Sequence, residues 1–256
     1  IYLEHRKDEN DKKRQYCYYT QFSSSLTSLI LERWGENKAV KPLLKPGKFH
    51  HNVTALLRSL QPAFGKNLTY IEIARAYKTA HDAMETARKE LKDLYVSSRQ
   101  ERSEGQDVDV MLLGRPYTIL SHVMNNNIPD IFAGHGIRTF FQDMMPKDES
   151  ASAEIRGLLE AFHWHYAAHI LQVAATVAKQ PDIYPVYITS FQCAPDSFAL
   201  DYFQRIMDVY DKPYLILQLD EHDSSVGYET RIEAGIRAFR NHAALSAEQR
   251  GVTGRT

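Results

Sequence analysis

The side chains able to do chemistry in this chain follow short apolar runs. VDVMLLG leads into Arg115-Pro116-Tyr117, and the run ending at Phe141 leads into Gln142-Asp143. The run ending at Thr189 leads into Ser190-Phe191-Gln192-Cys193-Ala194-Pro195-Asp196, and the one ending at Leu219 into Asp220-Glu221-His222-Asp223. If the runs are strands of an open α/β sheet, these are the carboxyl ends, where loops and helix N-termini converge on ligands. Cys193 carries the sharpest chemistry. Pro195 suits the first turn of a helix, so the sulfur would approach unpaired backbone N–H groups and the positive end of a helix dipole. That setting favours the thiolate, the form that attacks or binds metal. A thiol that fills space under a loop is an equal reading.

Gly114, Arg115, Pro116 and Tyr117 read as a binding turn in which Arg115 meets a phosphate or carboxylate. The plainer reading is a strand-to-helix turn with a solvated arginine. With Asp196, Glu221 and His222 these four residues make up the candidate substrate-binding set. Asp220, Glu221 and His222 would supply acid–base or hydrogen-bonding groups, although charged residues also leave strands for no catalytic reason. Cys17, just before a predicted helix, reads as a buried structural thiol. His163, His165 and His169 fall on one predicted helix, the last two on one face. They lack an acidic partner at metalloprotease spacing and read as helix surface or interface. Two cysteines without a CxxC cannot fill a four-cysteine site. GxGxxG after a strand, GxxxxGK[ST] and GxSxG are all absent, which disfavours dinucleotide and P-loop binding.

The elements that position these groups change character near residue 107. Before it, helices are expected over Phe22–Trp34, His51–Phe64 and Thr69–Arg99, and a polar linker, SSRQERSEGQD, follows. After it, strands are expected at Val108–Leu113, Ile137–Phe141, Pro185–Thr189 and Pro213–Leu219. They alternate with helices at Leu120–Phe132, Ser152–Lys179, Asp196–Tyr210 and Tyr228–Phe239. Alternation of this kind implies βαβ units and a parallel sheet. The expected fold is α/β: a mainly helical region over 1–106, a Rossmann-like four-stranded parallel sheet domain over 107–243, and a polar, frayed tail over 244–256. Arg115, Cys193 and Glu221 should open toward one cleft, with Cys17 approaching it.

The 256 residues make one large domain or two small ones. Hydrophobic residues at 43% and charged residues at 25% describe an ordinary globular protein and exclude disorder. Thirty-one basic against 32 acidic residues give no global case for nucleic acid or anionic lipid. With no apolar run near 20 residues and no signal-peptide core in IYLEHRKDENDKKR, a cytoplasmic, non-membrane protein is expected. The first residue, Ile1, and the crowded charge after it suggest a piece excised from a longer chain.

Four motifs, LLGRPY (112–117), NNNIPDIFAGHGI (125–137), ITSFQCAPDSF (188–198) and KPYLILQLDEH with GYETRIEAGIRAFRNH (212–222, 227–242), resemble one family in order and spacing. It is the acyl-CoA dehydratase activase-related group, large proteins of anaerobic bacteria in the 2-hydroxyacyl-CoA dehydratase superfamily. Double-cubane iron–sulfur cluster proteins are also similar. YCYYTQFSSSL (16–26) resembles, less closely, the family segment in which a cysteine precedes a helix.

The resemblance implies an iron–sulfur cluster of 4Fe-4S type in the intact protein. Cys17 and Cys193 would be metal ligands by motif position, and an ATP-dependent activase module or subunit would supply low-potential electrons. It implies a small-molecule substrate, for which an acyl-CoA is one candidate. One-electron reduction would then acidify the C3 proton of a 2-hydroxyacyl thioester, and the metal would act as electron donor and Lewis acid. A further upstream cysteine and a neighbouring α/β domain are not in this sequence. The fragment alone is therefore expected to be inactive and to hold no cluster. The rival reading is a noncatalytic α/β module for ligand binding or activase docking. A homodimer is compatible with either.

Overall fold

The computed structural model describes residues 2–3, 6–7, 13–35, 39–45, 47–65, 67–101, 108–190, 192–220 and 225–253. The chain forms two compact units, Ile1–Lys89 with Phe162–His165, and Glu90–Ala161 with Tyr166–Thr256.

Three helices dominate the first unit: α1 (Tyr18–Arg33), α2 (Phe49–Phe64) and the N-terminal part of α3 (Tyr70–Gln100). The start of α3 is fixed by a reciprocal cap. Glu72 accepts from the Thr69 backbone N–H at 2.8 Å and hydroxyl at 2.7 Å, and its own N–H donates to the Thr69 hydroxyl at 3.3 Å. Helix α1 is inverted, since its buried residues are Gln21 and Ser28 while its large apolar side chains face outward. The Gln15 N–H donates to the His163 carbonyl and the His165 N–H to the Gln15 carbonyl, each at 2.9 Å. Residues Phe162–His165 thereby join this unit.

In the second unit, β1 (Asp109–Leu113), β2 (Arg138–Phe141), β3 (Ile183–Ser190) and β4 (Leu215–Leu219) form one sheet in the order β2-β1-β3-β4, with every pairing parallel. Alternate side chains take opposite faces. Val110, Leu112, Tyr184, Val186 and Ile188 pack with Phe132 of α5 (after α4, Pro116–Ile119; α5 is Ile128–Gly134) and with Ile232, Ile236 and Phe239 from a later helix. On the other face Tyr187 meets Phe203 edge to face, ring centroids 5.3 Å apart. At the amino edge the buried Asp109 carboxylate accepts from Arg138 Nε at 2.9 Å and Nη2 at 3.0 Å and from Arg99. Arg99 also donates to Asp182 at 2.5 Å, which ties the end of α3 to the start of the sheet.

The mixed α/β class and the parallel sheet are as expected, but several helices are not. Leu120–Phe132 is not one helix, because Asn126 and Asn127 take φ of 50° and 56°, left-handed values that Asn tolerates and a helix does not. Ser152–Lys179 is three helices, α6 (Glu149–Glu154), α7 (Arg156–Ala161) and α8 (His165–Ala178), broken at Ile155 and again where Phe162–Trp164 leaves to reach Gln15. Next comes α9 (Ala194–Val209). The last helix, α10 (Ser225–Thr253), continues well past His242 rather than fraying there. No helix among the described residues is long and apolar enough to cross a membrane.

Candidate functional site

Strand β1 leads through α4 and α5 to β2 on one side, and the chain then returns past β1 to β3 on the other. The crevice where strand order reverses therefore lies at the carboxyl ends of β1 and β3. Gly114 closes β1. A Cβ there would lie 2.6 Å from both the Ile188 carbonyl oxygen and Ile119 Cγ2, so the two strand ends approach closely only because glycine is present. The Gly114 N–H donates to Gln142 Oε1 at 3.0 Å.

Arg115 caps α4 with Pro116 in its first turn. Its guanidinium is nearly buried and donates from Nε and Nη2 to Asp196 Oδ2, at 3.1 and 2.9 Å, and from Nη1 to the Tyr117 hydroxyl at 2.5 Å. The carboxylate that Arg115 meets is thus the protein's own. Thr189 donates to the same Asp196 oxygen at 3.2 Å. Burial raises the Asp196 carboxyl above its usual range, with Arg115 and Thr189 pulling it back. Burial also opposes the charge on Arg115, but Asp196 and Tyr117 outweigh it and hold the guanidinium above its ordinary pKa.

Cys193 is the N-cap of α9, half-buried, with Pro195 in the first turn. Its predicted placement holds, but the thiolate preference expected of a helix N-terminus does not. Burial first, and the Asp196 carboxylate second, push its pKa up to about 11 against the opposing Asp196 N–H and Arg115. A partial charge at a helix end is worth less here than desolvation beside a full negative charge.

Arg115, Tyr117, Asp196 and Cys193 therefore come together at one edge. Glu221 and His222 lie outside the described residues, so only Asp220 represents the end of β4. Cys17 caps α1 in the first unit, without a side-chain capping bond. Of the three histidines, His163 precedes α8, His165 packs edge to face on Tyr16 at 5.5 Å, and His169 Nε2 lies 3.0 Å from the Asp143 carboxylate.

Sequence reasoning missed Tyr187 and Thr189, which stand two apart on the face of β3 that leads to Cys193. That alternation was the available signal. The Tyr187 hydroxyl, the Gln142 amide nitrogen and the Thr118 hydroxyl are buried with no hydrogen-bond partner among the described residues. Desolvation, then Asp196, holds the Tyr187 phenol well above its ordinary pKa, so it stays protonated. Among the described residues no three His, Cys, Asp or Glu side chains stand together to hold a metal ion.

The second unit is thus a parallel-sheet α/β protein whose polar groups gather at its switch point. The family model described as CoA enzyme activase uncharacterised domain matches residues 1–145. The chain belongs to that family and is an acyl-CoA dehydratase activase-related protein. The match takes in Cys17, Gly114, Arg115 and Gln142 and ends before β3 and Cys193. No curated protein and no solved structure matches the chain.

Proposed function

We propose that this chain serves an iron–sulfur redox protein of the activase-related family, in which ATP-coupled, low-potential electrons reach a small substrate. The observation that supports this is the position of Cys193: a half-buried thiol at the switch point of the sheet, at a helix N-terminus and beside the fixed Arg115–Asp196 pair. Among the described residues no three His, Cys, Asp or Glu side chains form a metal-holding group around Cys193. A cluster that uses Cys193 needs further ligands, of which Cys17 is the one the family resemblance offers in this chain. This chain's own contribution is positioning. Arg115, Asp196 and Thr189 fix the first turn of α9 against β1 and β3, and with it the sulfur.

The test is iron and acid-labile sulfide in the full-length protein, purified without oxygen, with and without Cys193→Ser. A sharp drop in iron is expected, with loss of the visible charge-transfer band. Iron content that ignores the substitution refutes the assignment. A second reading, a module that binds a ligand without redox chemistry, is favoured by three buried polar groups at the same edge that have no hydrogen-bond partner among the described residues. It predicts an iron-free protein whose full-length form binds the small substrate equally well before and after Cys193→Ser.

A further inference from the structure

The apolar residues of α1 lie on the wrong side for a helix packed by its own unit. Tyr18, Phe22, Leu26, Leu29, Ile30 and the C-cap residue Trp34 are 43–74% exposed, and Tyr19 more so, while Gln21 and Ser28 are buried. Gln21 is held inside by a 2.6 Å bond to the Tyr16 carbonyl. At about 100° per residue, all seven exposed residues fall in one sector of roughly 160°, and Gln21 and Ser28 lie opposite. From Tyr16 to Leu31 no residue carries a charge, and Arg33 is the one cation in the sector. An apolar face of this width with a single charge marks an interaction surface.

Two features name the occupant. The ridge Tyr18, Phe22, Leu26, Ile30, Trp34 is evenly spaced about Leu26. An antiparallel copy related by a twofold axis beside Leu26 therefore sets Leu26 on Leu26, Phe22 on Ile30 and Tyr18 on Trp34, an isologous contact. The same operation sets Arg33 over Tyr19 of the second copy, a cation–π pair that accommodates the one charge. Area agrees with symmetry. The exposures, applied to side chains of roughly 150–250 Å² each, amount to roughly 900 Å² per chain, against about 800 Å² per partner in a standard stable interface. We propose that α1 is a self-association surface through which two copies of this chain pair about a twofold axis beside Leu26. This goes beyond the redox reading and does not depend on it.

Sedimentation velocity on the 256-residue chain tests the proposal. A dimer is expected at tens of micromolar. Leu26→Asp brings two carboxylates face to face and should weaken the dimer tenfold or more, as should Leu26→Lys. An equimolar mixture of the two variants should dimerise again, because the twofold axis pairs position 26 with itself. Leu26 is half exposed, so both variants should keep the wild-type far-UV circular dichroism. A chain that stays monomeric at every concentration overturns the proposal. So does a dimer indifferent to Leu26→Asp, or a mixture of the two variants that remains monomeric.

Discussion

Asp196→Asn should loosen the sheet edge and speed the chemistry of Cys193 at the same time. Asp196 is 1% exposed, and its Oδ2 accepts from two guanidinium nitrogens and the Thr189 hydroxyl. Asparagine keeps one acceptor but leaves the nearly buried Arg115 without a counter-charge. Breaking a buried pair from one side costs about 3–5 kcal/mol, and the retained acceptor puts the expected loss near about 3 kcal/mol in urea unfolding. The thiol responds as well. With a pKa of about 11, against the usual 9.0, about one Cys193 in a thousand is thiolate at pH 8, where an ordinary thiol has about one in ten. Removing the carboxylate deletes the second cause of the shift and leaves Arg115, which favours the thiolate, so alkylation by iodoacetamide at pH 8 should rise about tenfold or more. The control is Arg115→Met, which costs comparable stability but removes the favouring cation. Its alkylation inflection should stay at or above about 11. If both variants speed alkylation equally, local opening explains the effect and the electrostatic account fails. An unchanged rate in Asp196→Asn refutes it outright.

Three further outcomes are expected. The folded state holds the Cys193 proton more tightly than the unfolded chain, whose thiol titrates near 9.0. Stability should therefore be fully present below pH 9 and fall as pH rises toward about 11, and Cys193→Ala should flatten that part of a stability-against-pH curve. Gly114→Ala drives a methyl into the Ile188 carbonyl and should destabilise the α/β unit by about 1–3 kcal/mol in urea melts. Thr69→Ala removes the cap of α3 and should cost about 1 kcal/mol, read as faster amide exchange over 70–73 with the α/β unit's amides unchanged.

The strands were legible because a parallel sheet buries both faces, so β1 and β3 read as continuous apolar runs. Their limits were less so. β3 begins at Ile183, two residues before Pro185, because a proline can sit within a strand where its missing N–H is tolerated. The edge that gathers Arg115, Asp196 and Cys193 followed from listing what comes after each strand. The Arg115–Asp196 pairing did not, because 81 residues separate the partners and nothing local links them. Local pattern also left the Cys193 thiol open between thiolate and inert thiol, since desolvation and a neighbouring carboxylate are tertiary facts. The break at Phe162–Trp164 was hidden for the same reason: the segment is apolar and helical in pattern, and only its distant partner Gln15 takes it off the helix.

That excursion sets an order of events on the ribosome. Gln15 is synthesised well before its partners, because the carbonyl and amide it pairs with belong to His163 and His165. At roughly 5–20 residues per second, synthesis from the end of the first unit's main segment to these partners takes roughly 4–15 s. Until then the first unit lacks a strand contact that its own sequence cannot supply. Cutting the gene after Lys89 would make the lack permanent, so the two units cannot be separated by a single cut. Separating them cleanly would require grafting Phe162–His165 back onto the first.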